Sequence, residues 1–224
     1  MGEIIEINDG IVELKTVTTA RRVRLQDFTE ALLQSSGVRT PILPQGVVFY
    51  ASKDYKKVYL IEREPVMAKV LYAHDRLHPK EFTLAFPWHY FAVVFENFAF
   101  ETCYFYFRNK RIMNVEDKFF LPPLPNLHSP DCAVCLGDFR YNVTAETPEK
   151  MTGLISYFFA STFNTDLNQF FREKVPKQIT LLKQNQQEHC FDAWQRVKID
   201  EVCSVEWFPY QSLAKCLDNV WGKE

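Results

Sequence analysis

Glycine is scarce in this chain: 7 residues of 224, against 20 phenylalanines, 10 tyrosines and 4 tryptophans. So little glycine argues against a loop-dominated fold, and the aromatic excess supplies bulky filling for a sizeable core. Charge of one sign is lacking too. With 26 basic and 28 acidic residues the net charge is -2, so no strong general attraction to nucleic acid is expected. Local basic patches remain open, and one candidate, Ala20-Arg21-Arg22-Val23-Arg24, reads as a solvated face. No run approaches the roughly eighteen apolar residues of a membrane span. The opening MGEIIEINDG is acidic where a signal peptide is basic and apolar. Gly2 invites a myristoylation reading, but Glu6 stands where that motif needs Ser or Thr. The expectation is a cytoplasmic protein without a membrane or nucleic-acid partner. In that setting six scattered cysteines are no disulfide framework, and the sequon Asn142-Val143-Thr144 carries no meaning.

The patterning predicts an α+β chain. Ile5, Ile7, Ile11, Val12 and Leu14 alternate about Asn8-Asp9-Gly10 as one or two short strands. Leu25, Phe28, Ala31, Leu32 and Leu33 follow a helical stripe, which Ser35-Ser36-Gly37 stops. From 46 to 113 come successive β-branched and aromatic runs with short links, beginning with a hairpin about Ser52-Lys53-Asp54. Short links favour an antiparallel meander. Its last strand sets Cys103, Phe105 and Phe107 against Tyr104, Tyr106 and Arg108, so at least one face is core. After 146 the period becomes helical. Thr147 is an N-cap with Pro148 at the first turn, ahead of MTGLISYFFASTF. Further helices are expected at about 165–185, broken near Pro176, and at 187–197 and 209–221. The domain reading is an extension over 1–40, a core over 41–175 and a helical extension over 176–224.

Between sheet and helices lies FFLPPLPNLHSPDCAVCLGDF, residues 119–139. Cys132 and Cys135 admit three readings. A redox pair belongs between the strand and helix of a βαβ unit, whereas this pair follows a Pro-rich turn and a meander. A structural zinc site needs a second close ligand pair, and Cys103, Cys190, Cys203 and Cys216 are isolated, with His189-Cys190 the one His/Cys neighbour pair. The third reading is small apolar core, a common place for free cysteine.

A fourth comes from the stretch as a whole. A meander ending in a Pro-rich turn, then an apolar-Cys-Leu triplet, resembles the ubiquitin-conjugating (E2) family. That family carries a His-Pro-Asn turn and an Ile-Cys-Leu motif whose cysteine bears the thioester. Here Leu124-Pro125-Asn126 matches the turn and Val134-Cys135-Leu136 the cysteine motif. Pro122 to Asn126 with Val134 to Gly137 is most similar to the prokaryotic E2-like proteins of bacterial conjugation cassettes. The likeness spans about 40–175. It departs in having Leu124 for the family's His, one extra residue between Asn126 and Cys135, and no counterpart for Cys132.

The resemblance implies an E2/UBC-like fold and an acyl transferase whose Cys135 carries a ubiquitin-like modifier. It implies Asn126 as a side-chain donor to the tetrahedral oxyanion, with the alternative that Asn126 caps its own turn. His128 is a weaker assisting candidate. Asp131 and Asp138 read as solvated loop acids. The implied partners are an E1-like adenylating enzyme, the modifier, a metal-dependent isopeptidase of the JAB type and a protein acceptor, with defence against phage as a setting. No cofactor is implied, since the E1 uses the ATP. The alternatives are a catalytically inactive E2-like scaffold and a zinc-stabilised binding protein.

Overall fold

The computed structural model describes residues 4–8, 11–15, 20–24, 45–53, 55–73, 78–128, 130–137, 147–164 and 171–221. The chain divides into two compact units, Met1–Ile42 and Leu43–Glu224. The first contains an antiparallel sheet of β1 (Ile4–Asn8), β2 (Ile11–Lys15) and β3 (Ala20–Arg24). Asn8 pairs with Ile11 at the end of the β1–β2 ladder; Asp9 and Gly10 of the expected turn lie outside the described residues. The basic cluster at 20–24, expected only as a solvated face, is the third strand. The helix expected over 25–33 lies outside the described residues, as do Asp138 and the sequon at 142–144.

The second unit is α+β, mostly curled antiparallel sheet with few helices. Its strands are β4 (Val47–Lys53), β5 (Lys56–Arg63), β6 (Val66–Tyr72), β7 (Lys80–Phe86), β8 (Trp88–Glu96), β9 (Ala99–Arg108) and β10 (Lys118–Leu121). The first turn closes between Lys53 and Lys56, one residue later than the sequence suggested. The next four strands form one long bent hairpin. Arg63 pairs with His89, and three residues further on each side Val66 pairs with Phe86, so a single register runs through both halves. That register sets Pro65 opposite Pro87. Neither has an N–H to give, so the ladder breaks there and the ribbon bends from one sheet into another. Asn97 and Phe98, both at positive φ (50° and 65°), make the tight link from β8 to β9. Asn accepts that conformation readily; for Phe it is uncommon.

Helix α1 (Pro148–Ala160) begins as its sequence predicts. Thr147 Oγ1 accepts the Lys150 N–H at 3.4 Å, and Pro148 occupies the first turn. Its inward stripe is Met151, Leu154, Ile155 and Phe158, the spacing of a single helix face. Phe158 lies on Phe105 and Phe91, with ring centroids 4.8 and 5.6 Å apart. Strand β11 (Thr162–Phe163) then runs parallel to β6. Of the helix expected over about 165–185 with a break near Pro176, 165–170 lie outside the described residues; the rest is a 3-10 turn at Phe171–Lys174 and a short α2 (Lys177–Leu181), parted at Pro176. Helix α3 (Cys190–Trp194) is also short and inserts Trp194, whose indole N–H donates to the Ala85 carbonyl at 2.9 Å.

The segment expected to be helical over 209–221 divides in two. Phe208–Ser212 is β12, antiparallel to β10, and only Leu213–Trp221 is helix, α4. The main sheet therefore runs β12-β10-β9-β8-β5-β4. Both faces of β9 are covered. Cys103, Phe105 and Phe107 are fully buried on the side of α1, while Tyr104 and Tyr106 face the side closed by α4. Among the described residues no helix is long and apolar enough to cross a membrane.

Candidate functional site

The cysteine segment is a small hairpin laid along β9. The Cys135 N–H donates to the Asn126 carbonyl at 2.9 Å, Leu127 bridges Val134, and the His128 N–H donates to the Ala133 carbonyl at 2.8 Å. The nine-residue separation of Asn126 and Cys135 is thus the register of a closed hairpin, which brings the two main chains together. Its tip is fastened locally: the Cys132 N–H donates to the His128 carbonyl, and the Asp131 carboxylate accepts the Ala133 N–H at 3.1 Å. Cys132 takes the left-handed conformation at φ 64°. The returning arm docks on the free edge of β9 beside β10, through Val134 N–H to the Cys103 carbonyl and Phe105 N–H to the Cys132 carbonyl.

This arrangement separates the two cysteines. Cys132 is buried, and burial pushes its thiol up to about 12. Cys216 is pushed up to about 11 by the same cause, and Cys103 well above the ordinary range. Cys135 is half-buried and lines an open cleft of about 430 Å³. A thiol reacts as its thiolate and must be reached; of the pair, Cys135 is the accessible one and Cys132 packs. No three of the described His, Cys, Asp and Glu side chains gather as a metal site.

His128 is exposed and lines the same cleft as Cys135. The remaining wall includes Phe100, Glu101 and Thr102 from the start of β9, which sequence reasoning did not single out. Their signal lay in the alternation of β9, but only the docking of the hairpin on that strand reveals them. Glu101 is held from behind by Lys56 at 3.1 Å, and the same ammonium donates to the Val220 carbonyl at the end of α4.

Asn126 is buried at 7% exposure. Its Oδ1 accepts the Asn164 N–H at 3.0 Å, and its Nδ2 donates to the Thr162 carbonyl at 3.3 Å and the Ser161 hydroxyl at 3.5 Å. The side chain therefore does not cap its own turn. It ties the hairpin to β11 and the residues on either side of it, and both amide functions are engaged there.

No protein-family model matches the sequence, and neither the curated proteins nor the solved structures contain a match to the chain.

Proposed function

We propose that the chain is an E2-like conjugating enzyme that carries a ubiquitin-like protein on Cys135. The observation that supports this most is the contrast within the cysteine hairpin: Cys135 opens on the cleft beside His128, three residues after a buried Cys132. The order of elements adds to it, with an antiparallel meander, a Pro-rich turn, the cysteine, and then a helix packed on the sheet. In the first step the Cys135 thiolate attacks the thioester carbonyl on an E1-like enzyme. A carbon–sulfur bond forms to Cys135 and the E1 thiolate leaves. In the second step an acceptor amine attacks the new thioester, the carbon–nitrogen bond forms, Cys135 leaves as thiolate and the amine loses a proton. The thioester is already activated, so the cysteine needs no dedicated base. The partners of this reading are the E1-like enzyme, the modifier, the protein acceptor and a JAB-type isopeptidase.

One observation favours a second reading, an inactive E2-like scaffold that binds the E1-like enzyme or the modifier. The amide that would serve the oxyanion is already bonded to Thr162 and Asn164. Incubation with ATP, the E1-like protein and the modifier, followed by reducing and non-reducing gels, separates the two. The conjugating reading expects a thiol-labile adduct that Cys135→Ala abolishes and Cys132→Ala keeps. A charged E1 that yields no adduct selects the scaffold.

A further inference from the structure

A second cavity lies on the face of the sheet away from α1, beneath α4. Its volume is about 130 Å³, close to the ~150 Å³ of an engineered cavity that takes up benzene. It far exceeds the water-sized voids of an ordinary core. Tyr104, Tyr106 and Tyr210 line it, with Cys216 and Leu217 contributed by α4. The rings are parallel: Tyr106 stacks on Tyr104 at 6.3 Å with 7° between planes, and on Tyr210 at 5.7 Å with 20°.

An acidic residue borders this aromatic space, its main-chain carbonyl accepting the Tyr106 hydroxyl at 3.2 Å. Asp131 lines the cavity, and no lysine or arginine does. None of the ion pairs among the described residues includes Asp131. Its charge reaches the rings: burial first, and Asp131 second, push the Tyr104 phenol up to about 12. Aromatic faces are negative, so rings and carboxylate together favour a cation. A compact hydrated ammonium or metal ion would lose its water for few compensating bonds. A cation sheathed in alkyl groups loses little hydration and fills the apolar space.

We propose that the cavity beneath α4 binds a small alkylated ammonium compound, with the tyrosine rings against its alkyl groups and Asp131 countering its charge. The site is on the far side of the sheet from α1 and does not depend on what Cys135 does.

The test compares choline with 3,3-dimethylbutan-1-ol, which has the same shape without the charge, on the full chain by thermal shift and protein-observed NMR. Choline is expected to raise the melting temperature and to shift the tyrosine ring signals, with the neutral alcohol at least tenfold weaker. Asp131→Asn keeps an oxygen for the Ala133 N–H and removes the charge, so choline should weaken about tenfold and approach the alcohol. Equal binding of the two compounds to the wild type would overturn the proposal, as would no binding of either. Undiminished choline binding by a folded Asp131→Asn protein would overturn it as well. The wild-type comparison decides even where the variant does not fold.

Discussion

Replacing Asn126 tests whether that side chain fastens the fold, acts in the reaction, or does both. The Ala variant loses an acceptor for the Asn164 N–H and a donor to Thr162 and Ser161. The 3.0 Å bond is worth about 1 kcal/mol net, the two longer ones less, and a buried group left without its partner adds about 1 kcal/mol or more. Asn126→Ala should therefore cost about 2–3 kcal/mol in urea unfolding, a midpoint shift of about 1 M for a slope near 2–3 kcal/mol/M. Asn126→Asp sharpens the argument. Its neutral acid fits, with one oxygen accepting from Asn164 and a hydroxyl donating to Thr162, whereas the carboxylate turns a lone pair on that carbonyl. The folded-state pKa of the new acid is thus raised above the unfolded value. Its favourable contribution is present below about pH 4 and is lost as pH rises through the folded value. Stability relative to wild type should fall from pH 4 to 7 for Asn126→Asp and stay flat for Asn126→Ala. A cost below about 0.5 kcal/mol for the Ala variant, or no pH trend for the Asp variant, refutes the fastening role. Under the proposed conjugating function, single-turnover discharge of the charged protein then reads the chemistry. Fastening alone leaves transfer by the folded fraction nearly intact, whereas an oxyanion donor would cost it about 10²–10³-fold.

Alkylation under native conditions should modify Cys135 first. Cys132, pushed up to about 12, has at most about a thousandth of the thiolate of a free cysteine. Peptide mapping that found Cys132 modified as fast would contradict the assignment of the two thiols. His89 is 1% exposed, bonds the Pro87 carbonyl through Nδ1, and is lowered by burial to about 4. Its neutral form stabilises the fold above about pH 6.5, and that contribution is lost as pH falls toward 4. The loss is roughly 3 kcal/mol across the window, and His89→Gln should flatten the slope. Gly46→Ala should destabilise by roughly 1–3 kcal/mol. At its φ of +85° a Cβ would meet the Glu62 carbonyl at 2.7 Å, and an unchanged unfolding midpoint would count against that geometry.

Where local chemistry decided an element, the sequence was sufficient. Thr147 and Pro148 start α1 because an orphan N–H wants a side-chain acceptor and proline suits a first turn. The β-branched and aromatic runs of 46–113 form the expected antiparallel strands because their period and short links leave little choice. The segment 119–139 stood out by composition, and the structure folds Asn126, His128 and Cys135 into one hairpin there. Long-range pairing decided the rest. Phe208–Ser212 is a strand because β10 offers it an edge, a partner far away in the chain that no local helical period can register. Pro65 and Pro87 each read as an ordinary strand break, and only their shared register makes them one bend. Cys132 and Cys135 are equivalent by residue type. Their difference comes from the hairpin's left-handed tip and its docking on β9, which bury one sulfur and leave the other at a cleft. Glu101 joins that cleft for the same reason: proximity across strands is a property of the folded sheet, and a linear sequence does not carry it.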